Sequence, residues 1–154
     1  MAAYYVYVMR FGAVDQVAKV KLNSVIVGVH RGGYDAFSFD ITDYLQNSNI
    51  LIVRARDLID TGDFSLPYGK QCKKRGGMWY TTTSGIWQTV WLESVAEEYI
   101  RSVKVKTDEG LVSIIVEPSN ISGSVSVSTP SGEVVADLIN GKTEIELNNA
   151  RLWS

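Results

Sequence analysis

The chain has 154 residues, with 15 Lys and Arg against 17 Asp and Glu, a net charge of -2, 45% hydrophobic residues and 21% charged ones. That length suits one domain or one and a part, and the composition is globular, not disordered. The charge balance gives no electrostatic case for nucleic acid, no apolar run approaches the ~20 residues of a membrane-spanning helix, and the single cysteine, Cys72, cannot form an internal disulfide.

Residues 4–11 are rich in β-branched and aromatic side chains and read as a strand. This start lacks the basic leader of a signal peptide, and the missing export signal favours the cytoplasm. Val17, Lys19 and Lys21 alternate with Ala18, Val20 and Leu22, which predicts a half-buried strand of period two. Asn23-Ser24 is the expected hairpin turn, although Asn-Gly is the stronger signal, and residues 25–29 are the returning strand. Arg31-Gly32-Gly33-Tyr34 reads as a loop, and Phe37 and Phe39 share a face directed into the core. Thr42 is expected to cap a single helical turn over residues 43–46. Residues 50–56 read as the clearest buried strand.

Residues 57–77 show no periodicity, and a loop this long in a compact domain is usually functional or disordered. Its basic cluster at residues 70–75, offset by Asp57, Asp60 and Asp63, reads as a solvated loop. Residues 79–93, WYTTTSGIWQTVWLE, then gather three of the four tryptophans around one Thr-Ser-Gly turn. They read as a strand pair with an aromatic loop, suited to recognition and docking. In the strand expected over residues 85–95, Trp87, Thr89 and Trp91 share one face and Ile86, Val90 and Leu92 mostly share the other. The aliphatic face is expected to be the core side. The tryptophan face is open between a second buried layer, a domain interface and a ligand platform. Beyond residue 98, short alternating segments at 100–106, 111–117, 123–128, 134–138 and 143–147 are separated by turn signals, a spacing that indicates a β-sandwich. The chain is therefore predicted to be all-β, with a boundary near residues 96–99.

Three motifs in this order resemble the N-terminal sugar-binding module of glycoside hydrolase family 2. They are FGAVDQVAKVKLN at residues 11–23, VGVHRGGYDAFSFDITDYL at 27–45 and SGIWQTVWLE at 84–93. Residues 99 onward resemble that family's immunoglobulin-like module, and NARLWS at 149–154 resembles the phrase before its last strands. Thr82 stands where the family commonly has proline, and Asn23-Ser24 where it has Asn-Gly. The resemblance implies a truncated galactose-binding-like jelly-roll β-sandwich over residues 1–98, followed by an incomplete immunoglobulin-like β-sandwich over 99–154. It also implies that the family's first jelly-roll strands and its catalytic (β/α)8 barrel lie outside this chain, an internal piece of a larger enzyme. Open sheet edges near residues 4–11 and at the C-terminus would then favour self-association.

The chemistry on offer is thin. Retaining glycosidases need two carboxylates roughly 5–5.5 Å apart, and no glutamate here sits in a motif like the family's catalytic ones. LIDTGD at residues 58–63 is similar to the aspartic-protease fingerprint, but one copy is present and Asp63 replaces the expected Ser or Thr, so a polar turn is the reading. The same aspartates lack a calcium-loop spacing. Cys72 has His30 as the sole histidine, with no motif to orient it. No catalytic residue, metal site or cofactor is assigned. Sugars present apolar CH faces to aromatic rings and hydroxyls to polar side chains, so Arg31, Gln71, Trp79 and Tyr80 form a candidate sugar-edge set. Packing is the competing reading for Trp79 and Tyr80, and the preferred one for Trp87 and Trp91. The resemblance implies a non-catalytic region of a β-galactosidase-like enzyme of carbohydrate metabolism. Such a region would orient a β-glycoside and support the barrel. A structural spacer without sugar contact and a free-standing carbohydrate-binding adhesin are the alternatives.

Overall fold

The computed structural model describes residues 4–59, 61, 66–67, 69–130 and 132–147. The chain is all-β and divides into two compact units, Met1–Glu97 and Glu98–Ser154. The first contains β1 (Tyr5–Phe11), β2 (Val14–Asp15), β3 (Val17–Leu22), β4 (Val25–Arg31), β5 (Phe37–Asp40), β6 (Leu51–Arg56), β7 (Gly85–Ile86) and β8 (Val90–Ala96). The second contains β9 (Ser102–Asp108), β10 (Leu111–Glu117), β11 (Gly123–Thr129), β12 (Gly132–Leu138) and β13 (Lys142–Glu146). The motif at residues 149–154 lies outside the described residues.

In the first unit, antiparallel sheets β5-β1-β8 and β4-β3-β6 enclose one core, and β2 pairs with β7 beside them. The period-two pattern of β3 is realised in full. Ala18, Val20 and Leu22 are buried, while Lys19 is exposed and Lys21 half-buried. Ala18 and Val20 meet Phe11, Val14, Phe37, Phe39, Val53 and Val90. Phe11 is fully buried and stacks on Phe37 with ring centroids 4.7 Å apart. Truncating a buried ring of this kind costs about 3–5 kcal/mol, so Phe11 and its partners hold the two sheets together. In the second unit β13-β10-β9 packs on β11-β12 through Val112, Ile114, Val116, Leu138 and Ile145.

Several expectations need correction. Residues 50–56 do not form a buried strand. β6 is an edge strand paired with β3 alone, Leu51 and Ile52 are 37% and 50% exposed, and Val53 is the residue that reaches the core cluster. The strand expected over 85–95 is two strands, because the chain changes sheet at Trp87–Thr89. β7 follows β2, and β8 follows β1. Its aliphatic face is not the core face throughout: Ile86 and Leu92 are each 51% exposed, and Val90 alone of the three packs inward. Nor is residues 4–11 an open edge, since β1 is the central strand, hydrogen-bonded to β5 on one side and β8 on the other. Thr42 does not cap the short 3₁₀ turn Thr42–Tyr44. Its hydroxyl accepts from the Tyr7 N–H at 2.9 Å and donates to Asp40, whose carboxylate also takes the Thr42 N–H.

Two positions make the backbone argument testable. Asn23 and Ser24 both have positive φ, 50° and 72°, as a two-residue hairpin turn of the mirror-image type requires. Asn23 bonds Ile50, Asn49 and the Tyr44 carbonyl, whereas Ser24 carries a Cβ in a left-handed conformation that glycine would adopt without strain. Ser24→Gly is expected to raise stability by about 1 kcal/mol in urea unfolding. Gly28 is the opposite case: a Cβ there would overlap the Phe39 ring. Gly28→Ala should therefore cost about 1–3 kcal/mol in the same measurement.

Candidate functional site

β2 is two residues long, and its second, Asp15, carries the chemistry. It sits between Val14 and Gln16, both fully buried, and is itself 8% exposed. One carboxylate oxygen, Oδ1, has no hydrogen-bond partner. Asp15 is also among the described residues that line a cavity of about 230 Å³. Asp15 and Gly33 line one part of it, Tyr34 and Trp87 another, and Gln71 with Thr83, Ser84 and Gly85 the rest.

Each wall is held by its own bond. The Trp87 indole N–H donates to the Gly33 carbonyl at 2.7 Å, and the Tyr34 ring meets Trp87 edge-on at 5.9 Å and 70°. These contacts tie the glycine loop to the point where the chain changes sheet. Gln71 Oε1 accepts from the Thr83 N–H at 2.6 Å and from the Thr83 hydroxyl at 3.1 Å. Both bonds occupy the amide oxygen, which fixes the orientation of the group and leaves its NH₂ as the donor end. The described lining thus brings together a carboxylate, an amide and two aromatic rings.

Burial first, and the neighbouring Asp57 carboxylate second, push the Asp15 carboxyl above the ordinary carboxylate range. Two adjacent carboxylates, one held high, invite comparison with a glycosidase acid pair. The geometry differs, because Asp57 is not among the lining residues and its Oδ1 accepts from the Ile59 N–H at 3.0 Å. Asp15 is the one carboxylate among the described residues that line the cavity.

The four residues predicted from sequence do not form one set. Gln71 lines the cavity. Trp79 and Tyr80 follow it on the same loop: Tyr80 bridges to Gln71, and a tight turn links Gly76 and Trp79 through two backbone hydrogen bonds. Their rings are 41% and 68% exposed, and neither lines the cavity. Arg31 is at the end of β4, paired with Val17, on the sheet face that carries Lys19, Arg54 and Arg56. Trp91 lies along β8, with its indole N–H donating to Glu93 at 2.8 Å, and Arg10 holds the other Glu93 oxygen at 2.6 Å. Those two bonds, Trp91 first, lower the Glu93 carboxyl from its ordinary value.

Asp15, Tyr34 and Thr83 were absent from the sequence-derived set. The signal for Asp15 was present, a lone acid inside the apolar run that follows Phe11. Elsewhere, His30 stacks on Phe37 at 4.1 Å while Cys72 bonds the Tyr80 carbonyl, so they sit in separate surroundings. Leu58 and Ile59 of the 58–63 segment are buried, and its Asp60 and Asp63 lie outside the described residues. Among the described residues no three His, Cys, Asp or Glu side chains gather as a metal site would require.

No family model matches the chain. It is 31% identical over 134 residues to a β-galactosidase of Thermoanaerobacter pseudethanolicus, a match covering 86% of this chain and 17% of that protein. The chain thus spans about a sixth of the length of that curated relative. Among solved structures it resembles a β-glucuronidase of Faecalibacterium prausnitzii with a TM-score of 0.64 and 23% identity, over 99% of this chain and 30% of that one. It also resembles a glycosyl hydrolase family 2 member from Bacteroides cellulosilyticus with a TM-score of 0.56 and 22% identity, over 97% of this chain and 22% of that one.

The buried carboxylate gives a stability test whose sign is fixed. A carboxyl held above its unfolded value binds its proton more readily in the folded chain. Stability therefore falls as pH rises through the interval between the two values. Asp15→Asn removes a buried charge without a partner and is expected to stabilise the chain by about 1–3 kcal/mol at neutral pH. In thermal melts across pH, the gain should shrink as pH falls below about 4 and the carboxyl becomes protonated in both states.

Proposed function

We propose that this chain, which belongs to glycoside hydrolase family 2, is a non-catalytic region that orients carbohydrate for a catalytic (β/α)8 barrel of the same polypeptide. On this reading the unit Met1–Glu97 is a galactose-binding-like jelly roll and the unit Glu98–Ser154 an immunoglobulin-like support. The ligand is part of a β-glycoside, and a β-galactosidase-like parent suits the first relative. The observation that carries the reading is the cavity at Asp15, where a buried carboxylate, an oriented amide and two aromatic rings line a volume of about 230 Å³. Gln71 supplies the donor, and Trp79 and Tyr80, exposed on the same loop, extend the apolar surface beyond the cavity.

Two measurements on the 154-residue chain test this. The chain should hydrolyse no nitrophenyl β-glycoside, because one carboxylate faces the cavity; turnover by protein freed of host enzyme would overturn the non-catalytic reading. The chain should also give saturation-transfer NMR signals with methyl β-glycosides, at the millimolar affinity typical of a small polar site, about -4 kcal/mol. Gln71→Ala should weaken that binding by about fivefold, the worth of one hydrogen bond. Unchanged signals in the variant would place any sugar contact elsewhere.

A further inference from the structure

The outward face of the sheet β4-β3-β6 carries one sign of charge. Across the three strands the register sets Lys19 beside Arg54 and Val29, Lys21 beside Ile52 and Ile26, and Val17 beside Arg56 and Arg31. These residues project away from buried Ala18, Val20 and Leu22. Five of them are cations and none is an acid. The ion pairs among the described residues are Arg10–Glu93 and Lys104–Glu117, so no described carboxylate pairs with any of the five. Asp57, next after Arg56, accepts from the Ile59 N–H and acts on Asp15 instead. Asp60 and Asp63 lie outside the described residues. The loop that carries them leaves β6 at Arg56, the end of the face away from Lys21 and Ile52.

Two features set this face apart from an ordinary solvated one, which intersperses both signs. Lys19 and Arg54 stand directly opposite each other on neighbouring strands, and like charges so placed destabilise a sheet. Among the cations, Ile26, Val29 and Ile52 are 53%, 53% and 50% exposed. A partner that brings carboxylates and an aliphatic side chain relieves both at once. The order of the residues specifies that partner further. Outward positions read Val-Lys-Lys along β3, at residues 17, 19 and 21, and Ile-Arg-Arg along β6, at residues 52, 54 and 56. An extended segment laid along either strand shares its period of two, so it meets this order with one aliphatic and two acidic side chains at alternate positions. A polyanion such as nucleic acid or an anionic glycan answers the cations alone and leaves the aliphatic side chains in water.

We propose that the outward face of β4-β3-β6 docks an extended acidic segment of a partner protein, of the form aliphatic-x-acid-x-acid. Lys19, Lys21 and Arg54 are the charge contacts, and Val29 and Ile52 the apolar ones. The proposal is independent of the carbohydrate reading, which concerns the cavity at Asp15. Strands about 4.8 Å apart, with outward positions about 6.8 Å apart along each, make a three-by-three face of roughly 300 Å². A contact of that size belongs to the weak, transient class.

The test is an NMR titration of the nitrogen-15-labelled 154-residue chain at neutral pH and low salt. The probes are the capped peptide Ser-Leu-Ser-Glu-Ser-Glu-Ser, its counterpart with Gln for both Glu, and its counterpart with Ser for Leu. The first should bind with an affinity near millimolar and shift the amides of β3, β4 and β6. The Gln peptide should bind at least about fivefold more weakly and the Ser peptide about threefold more weakly, and about 0.5 M NaCl should weaken the first peptide in the same way. Absence of shifts on this face overturns the proposal. A Ser-for-Leu peptide that binds equally well makes the face a plain polyanion surface and overturns it. Shifts centred on the basic residues 70–75 assign the acidic segment to that loop and overturn it. Concentration-dependent shifts of the same face without peptide assign it to a second copy, and cosedimentation with phosphatidylserine vesicles without peptide binding assigns it to a membrane; either result overturns it. Lys19→Gln combined with Arg54→Gln removes the opposed like charges. That variant should keep or raise the melting temperature while the first peptide binds at least about fivefold more weakly. Undiminished affinity in a variant that melts cooperatively overturns the charge contacts, and the wild-type peptide series decides the docking even if the variant does not fold.

Discussion

Gly33 is the point on which the site depends. Its carbonyl anchors the Trp87 indole at 2.7 Å, and its missing side chain leaves space that Asp15 occupies. A Cβ at this position would stand 2.7 Å from Asp15 Oδ1 and 3.6 Å from the Asp15 Cα, so the neighbour that would have to yield includes backbone. One buried glycine thus holds three elements in register: the short β2, the loop after β4, and the break between β7 and β8. The paired glycines of the sequence are explained by close approach at the second of them rather than by loop flexibility. The local order follows from it, since Trp87 cannot take its position as a wall until the Gly33 carbonyl is presented to it.

The same arrangement explains why Asp15 is tolerated where it is. A carboxylate beside fully buried Ala13, Val14 and Gln16, with another carboxylate nearby and one oxygen unbonded, is a net cost to folding. The core around Phe11 supplies the surplus. Six strands besides β1 contribute side chains to that cluster, β2, β3, β4, β5, β6 and β8, and the fully buried positions Phe11, Ala18 and Val20 are spread over both main sheets. A group that breaks a local rule of burial in this way marks Asp15 as a candidate functional position.

How much of this could be read from residues depends on what each pattern encodes. Alternation along residues 17–22 reports which side chains share a face, and β3 is flanked on both edges and covered on its inner face, so the reading held. In β6 and β8 the same kind of pattern was read as burial. Burial depends on what lies across the sheet, which one strand cannot report. Ile52 therefore shares an exposed face with Arg54, and Leu92 faces outward from an edge strand of its sheet. The break at Trp87–Thr89 was hidden because Thr, Val and Trp suit a strand on either side of it. For the site, Gln71 was legible as a polar residue beside an aromatic loop. Arg31 was misplaced relative to the cavity because strand parity, set by pairing with Val17, decides its face, and the Gly-Gly turn that follows does not.

That parity has a consequence for recognition. Lys19, Arg31, Arg54 and Arg56 are collected on one face of β4-β3-β6, whereas Asp15 is the one charged residue among the described residues that line the cavity. The chain is near electrical balance as a whole, at -2, yet these four cations share one sheet face. Segregation of this kind follows from the period of a strand: alternate residues must leave by opposite faces, so a run reading Val-Ala-Lys-Val-Lys exports its lysines together. The acid escapes that rule because β2 is only two residues long and belongs to a different pairing, with β7. The charge that lines the cavity is thus decided by where strands break, which the net charge of the chain does not report.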